Sequence, residues 1–281
     1  MNKRSCLVLL VALTVGSLIL APLSWSGSAS IPAGETGAKA ALEKSPRHHE
    51  WVKIAVPGSE AKLNSFVAYP ERKDKAPVVI VIHEIYGLTD WIRGVADQLA
   101  GDGFVAIAPD LLSGRGPGGG GTEAFVSRDD VVKAVRDLSP TQVTGMLDAV
   151  KSYGASLPAA TQKYATVGFC WGGAQSFAYA TVQPNLGAAV VYYGTSPPTE
   201  ALTAIRAPVL GLYGEDDARV TTTIPPAAEK MKELGKVYIT HIYKDAGHGF
   251  LRAQEDRNGA NLEASRQAWP ATVDFLRKNL E

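Results

Sequence analysis

Between Tyr164 and Val182 the chain runs from a short apolar strand, Tyr164-Ala165-Thr166-Val167, through Gly168-Phe169-Cys170-Trp171-Gly172-Gly173 into a helix-forming stretch that starts at Ala174. Gly-x-Cys-x-Gly between a strand and a helix has few structural solutions. The turn must be sharp and strained, and strand and helix then approach too closely for a Cβ at the flanking positions. The spacing predicts a nucleophile elbow, with the Cys170 sulfur where such turns usually present a serine oxygen.

The surroundings alternate in a way that suits such an elbow. Residues 77–82 form a continuous apolar run, the mark of a strand buried on both faces of a parallel sheet. Residues 91–100 are an amphipathic helix closed by Gly101 and Gly103, and 104–108 form the next strand. Strands are expected at 188–193, 209–213 and 238–243, and helices at 127–137, 140–153, 225–234 and 263–279. Residues 51–56 and 64–69, separated by Pro57-Gly58, read as an antiparallel hairpin at a sheet edge. The class is α/β, with a mostly parallel central sheet flanked by helices on both faces. The segment 113–122 contains Gly116-Pro117 and four successive glycines but no Gly-Lys-Ser/Thr, so it reads as a mobile flap rather than a phosphate cradle.

Lys and Arg together number 28, as do Asp and Glu, so no net field favours nucleic acid or an anionic membrane surface. At the N-terminus, Lys3 and Arg4 precede an apolar stretch from Cys6 to Leu23, and Gly27 with Ala29 suits a signal-peptidase site. Residues 1–29 are therefore expected to be a signal peptide, with an uncleaved membrane anchor as the alternative. The expected destination is the periplasm or the exterior. Residues 30–50 read as a polar linker, and 51–281 as the folded domain. His48-His49-Glu50 is expected to be a solvated stretch, because no second cluster with zinc-like spacing accompanies it. No metal and no cofactor is expected, and a monomer is favoured. Removal of residues 1–29 would leave Cys170 as the sole cysteine, unpaired in an oxidising compartment, which points to a functional thiol.

A thiol nucleophile needs a base, and the base an orienting acid. Two loops beyond strand ends supply them in the order nucleophile, acid, histidine: Gly214-Glu215-Asp216-Asp217 and Asp245-Ala246-Gly247-His248. Asp216 competes with Asp217 for the acid position; Gly-x-x-Asp-x-x-Val favours Asp217. The N–H groups of Trp171 and Ile85 are the candidate oxyanion donors.

With these pieces assembled, the chain from about residue 50 onward resembles the dienelactone hydrolases (carboxymethylenebutenolidases) of the α/β-hydrolase superfamily. The matching pieces are His83-Glu84-Ile85-Tyr86-Gly87, Ala108-Pro109-Asp110-Leu111, the Cys170 elbow, Tyr192-Tyr193-Gly194 and Gly247-His248-Gly249-Phe250. The resemblance implies opening of an enol-lactone by Cys170, Asp217 and His248, with Glu84 accepting the thiol proton. It also implies that Arg252 binds a substrate carboxylate, with Arg115, Tyr86 and Tyr193 as further substrate contacts. Gly249 and Trp171 depart from the family pattern and bear on which lactone is taken. A small lactone or ester is the expected partner. A promiscuous carboxylesterase is the nearest alternative, and a redox-sensing or binding protein the alternative of another class.

Overall fold

The computed structural model of this chain describes residues 30–60 and 62–281. The expected signal segment, residues 1–29, lies outside the described residues. Among the described residues no helix is long and apolar enough to cross a membrane.

The strand Ala76–Ile82 (β3) organises the rest. All seven of its residues are buried, because both faces of the sheet are covered. Val78, Ile80 and Ile82 point into one apolar core, and Val79 and Val81 into another on the opposite face. This is the period-two consequence of strand geometry. Around it stand β1 (His49–Ala55), β2 (Lys62–Ala68), β4 (Val105–Pro109), β5 (Ala160–Phe169), β6 (Ala188–Tyr192), β7 (Val209–Asp216) and β8 (Tyr238–Gly247). They form one eight-stranded sheet in the order β1-β2-β4-β3-β5-β6-β7-β8. The β1–β2 and β2–β4 pairs are antiparallel and all others parallel, so the predicted hairpin lies at the edge.

Helices α1 (Glu35–Glu43), α2 (Asp90–Gly101) and α8 (Ala260–Leu280) contribute to the core on one face. Helices α3 (Arg128–Arg136), α4 (Pro140–Ser156), α5 (Trp171–Ala180) and α7 (Ile224–Glu233) contribute to the other, and the short α6 (Ala218–Thr221) precedes α7. The α/β-hydrolase architecture inferred from the sequence is the one observed.

Three segments differ from the sequence reading. Residues 30–50, expected as a linker, contain α1 and the start of β1. Ala38 is fully buried, and polar contacts to distant chain hold the helix: Glu35 N–H donates to Arg252 O, Thr36 Oγ1 to Glu255 Oε1, and Gln254 Nε2 to Pro32 O. His49 and Glu50, expected to be solvated, are engaged. His49 Nε2 lies 2.6 Å from buried Asp97 Oδ1, which also accepts from Ser45 and Arg47, and Tyr69 donates to Glu50. Burial alone would raise the Asp97 carboxyl, but these donors bring it below its ordinary range.

The Gly-rich segment, expected as a free flap, is tied down at its end. Thr122 donates from N and Oγ1 to the two oxygens of Asp110, each at 2.7 Å, and accepts from Leu88 N–H at 3.1 Å.

Candidate active site

Strand β5 ends in the elbow. Cys170 takes φ 55° and ψ −115°, a strained conformation for a non-glycine residue and a sign that the surrounding structure dictates it. A Cβ on Gly168 would lie 1.9 Å from Gly172 O, and one on Gly172 would lie 2.3 Å from the carbonyl oxygens of Ile82 and His83. The glycine spacing thus reflects backbone packed on backbone. Trp171, first residue of α5, has an N–H with no carbonyl one turn below it in the helix.

The His83–Gly87 turn faces this helix start. His83 is fully buried. Its Nδ1 pairs with Glu84 O at 2.7 Å, and Nε2 accepts the Leu111 N–H at 3.3 Å. Those partners assign the neutral tautomer with the proton on Nδ1, and burial lowers the His83 pKa accordingly. Its ring stacks on Trp171, centroids 5.6 Å apart. In the sequence His83 is only the first residue of a motif; in the structure it fixes the turn that carries Glu84 and Ile85. No turn or loop carbonyl takes the Ile85 N–H among the described residues.

The acid and the histidine each come directly after a strand, Asp217 after β7 and His248 after β8. His248 Nδ1 donates to Asp217 Oδ2 at 2.5 Å, leaving Nε2 as the ring nitrogen available to sulfur. Asp216, the competing carboxylate, is 63% exposed and pairs instead with Arg257. Burial would depress His248, but its bonds and charge contacts with Asp217 and Cys170 raise it to about 9. Both partners thus favour the protonated ring.

Glu84 is 3% exposed, and its Oε2 lies 2.8 Å from Arg252 Nε. The approach is off the N–H axis, so that nitrogen has no hydrogen bond despite the ion pair. Burial raises the Glu84 pKa, opposed by Arg252 and His248. Arg252 also meets Glu35 of α1, Nη1 to Oε2 at 2.5 Å, and Glu35 is shared with Arg128. Tyr86 lies under both cations, with the Arg128 guanidinium 4.1 Å and that of Arg252 5.4 Å from its ring centre. The Tyr193 ring is wholly buried edge-on to His248, centroids 5.2 Å apart, and its hydroxyl has no hydrogen-bond partner among the described residues.

The structure thus brings together Cys170, Asp217, His248, Glu84, Trp171, Ile85, Arg252, Tyr86 and Tyr193. Arg115 is not among them: it is exposed, and among the described residues no side-chain contact ties it to the others. The second arginine of the cluster is Arg128. It and Glu35 escaped the sequence reading, since neither lies in a motif.

The family model of the dienelactone hydrolase family matches residues 63–280. The chain belongs to the dienelactone hydrolase family. The protein named "Putative carboxymethylenebutenolidase" in Salmonella typhimurium is 32% identical over 239 residues, covering 79% of this chain and 85% of its own. A protein of the same name in Saccharolobus solfataricus is 31% identical over 249 residues, covering 78% of this chain and 95% of its own. Among solved structures, the "Putative Dienelactone Hydrolase" of Klebsiella pneumoniae superposes with a TM-score of 0.71 at 28% identity, covering 82% of this chain and 98% of that one. A dienelactone hydrolase-like promiscuous phosphotriesterase from metagenomic libraries shares the fold, with TM-score 0.69 at 21% identity, covering 83% of this chain and 99% of that one. Dienelactone hydrolase family membership makes this chain a carboxymethylenebutenolidase-like hydrolase of carboxylic esters.

Proposed function

We propose that this chain hydrolyses a lactone or small ester through Cys170, Asp217 and His248, by way of an acyl-cysteine intermediate. The observation that carries the reading is the strained elbow at Cys170 together with the His248 imidazole that Asp217 orients. A free thiol, with pKa about 8.5, is mostly protonated at neutral pH, and a neighbouring imidazolium favours the thiolate.

The thiolate attacks the substrate carbonyl carbon, and the carbonyl electron pair moves to oxygen. The N–H groups of Trp171 and Ile85 receive the developing oxyanion, a contribution typically worth about 3 kcal/mol per donor. Collapse of the tetrahedral adduct breaks the acyl carbon–oxygen bond, and His248 Nε2–H protonates the leaving oxygen. In a lactone that oxygen stays tethered to the acyl group. A water then attacks the thioester and gives a proton to His248, releasing the acid and restoring the thiolate. The family resemblance assigns Glu84, buried beside Arg252, as an acceptor of the thiol proton.

The test is Cys170→Ala in the full chain. It should abolish hydrolysis of p-nitrophenyl acetate while the circular dichroism spectrum is unchanged, and mass spectrometry of the quenched wild type should find the acetyl group on Cys170. Undiminished turnover by the variant, or an acyl group on another residue, would remove the assignment.

A further inference from the structure

Arg252 is the cation a charged substrate would meet beside the thiol, and this chain already occupies it. One side of the guanidinium faces Glu84 and another faces Glu35. Glu35 arrives from 217 residues away in sequence and is held on its other oxygen by Arg128. Its backbone is anchored too, the Glu35 N–H donating to Arg252 O at 2.9 Å. Burial would raise the Glu35 carboxyl, yet Arg252 and Arg128 bring it lower, so it is ionised at neutral pH. Two carboxylates and two guanidiniums compensate one another, and the cluster leaves no uncompensated positive charge.

We propose that Glu35 is a specificity-determining residue, an internal anion that holds Arg252 so that the site takes lactones and esters with an uncharged acyl group. This deepens the hydrolase reading of the same site and rests on it. An incoming carboxylate must either displace Glu35 from two charge-assisted contacts or lie unpaired beside two carboxylates. A neutral acyl group meets neither cost. The substrate-carboxylate role that the family resemblance implied for Arg252 is, in this chain, filled from within.

Alkylation of Cys170 tests the charge screen without turnover. Iodoacetate and iodoacetamide are nearly equal in size and differ in charge, so the ratio of their rates cancels changes in access. Rates are read by mass spectrometry of the peptide containing Cys170, with wild type, Glu35→Gln and Arg128→Gln compared at one pH and salt. Glu35→Gln should raise the iodoacetate-to-iodoacetamide ratio about tenfold, the scale of one charge-assisted hydrogen bond gained by the reagent. Arg128→Gln should raise it less, because Glu35 keeps Arg252. In parallel, kcat/KM for the p-nitrophenyl hemiester of glutaric acid relative to p-nitrophenyl valerate should move in the same direction. An unchanged ratio in a folded Glu35→Gln protein overturns the proposal. Ester turnover with an unchanged alkylation ratio removes the screen alone, whereas a shifted ratio without turnover removes the hydrolase reading and keeps the screen.

Discussion

Replacing Asp217 with asparagine keeps its shape and removes the charge behind His248, and the imidazole should report the loss directly. Burial pulls this ring down, while Asp217 and Cys170 lift it from 6.5 to about 9. At about 1.36 kcal/mol per pH unit the lift is worth roughly 3 kcal/mol in favour of the imidazolium. The side chain is 32% exposed, and screening reduces the figure to about 1–2 kcal/mol. A pKa raised on folding stabilises fully below the unfolded value, near 6.5, and that stability is lost as pH rises through about 9. Wild type should therefore lose about 1–2 kcal/mol of unfolding free energy between pH 6 and 10 through this group, and Asp217→Asn clearly less. Urea unfolding across that range measures the difference, and NMR of the imidazole C–H protons locates the titration. Hydrolysis by Asp217→Asn should fall on the order of 10²- to 10⁴-fold, since the ring loses both orientation and tautomer. Asp216→Asn loses only an exposed pair with Arg257 and should stay within about twofold. An unmoved His248 titration in Asp217→Asn, or equal rate losses in the two variants, would refute the reasoning.

Two further substitutions follow from the packing. The Tyr193 hydroxyl is buried without a hydrogen-bond partner among the described residues, so Tyr193→Phe should leave stability unchanged or raise it by about 1 kcal/mol in urea unfolding; a fall in kcat/KM would then report a hydroxyl contact with substrate. Gly172→Ala places a Cβ 2.3 Å from two backbone carbonyl oxygens and should cost about 3 kcal/mol or prevent folding. Gly145→Ala, in α4 with nothing within 4 Å of the added carbon, should instead stabilise by about 0.5–1 kcal/mol.

What could be read from the chain was local. Buried strands announce themselves as apolar runs, and Gly168 and Gly172 mark the elbow because backbone meets backbone there. Asp217 and His248 were legible because each follows a strand within a few residues. The charge network around Arg252 was not legible, because its members meet only through tertiary folding. Glu35 belongs to a polar helix with a single fully buried residue, a pattern that reads as linker. Arg128 pairs with Glu35 across 93 positions, and no periodicity carries that information. Arg115 was named from the family resemblance alone, and in the structure it is exposed.

The long-range tie between Glu35 and Arg252 also sets an order of events during synthesis. At roughly 5–20 residues per second, the 217 positions that separate them take about 10–40 s to make. Cys170 emerges in that interval, before Asp217, His248 and Arg252 exist. An incomplete chain therefore presents Cys170 without the His248 imidazole and without the paired charges around Arg252. On the proposed reading, reactivity and selectivity would arrive together, once the segment after β8 meets α1.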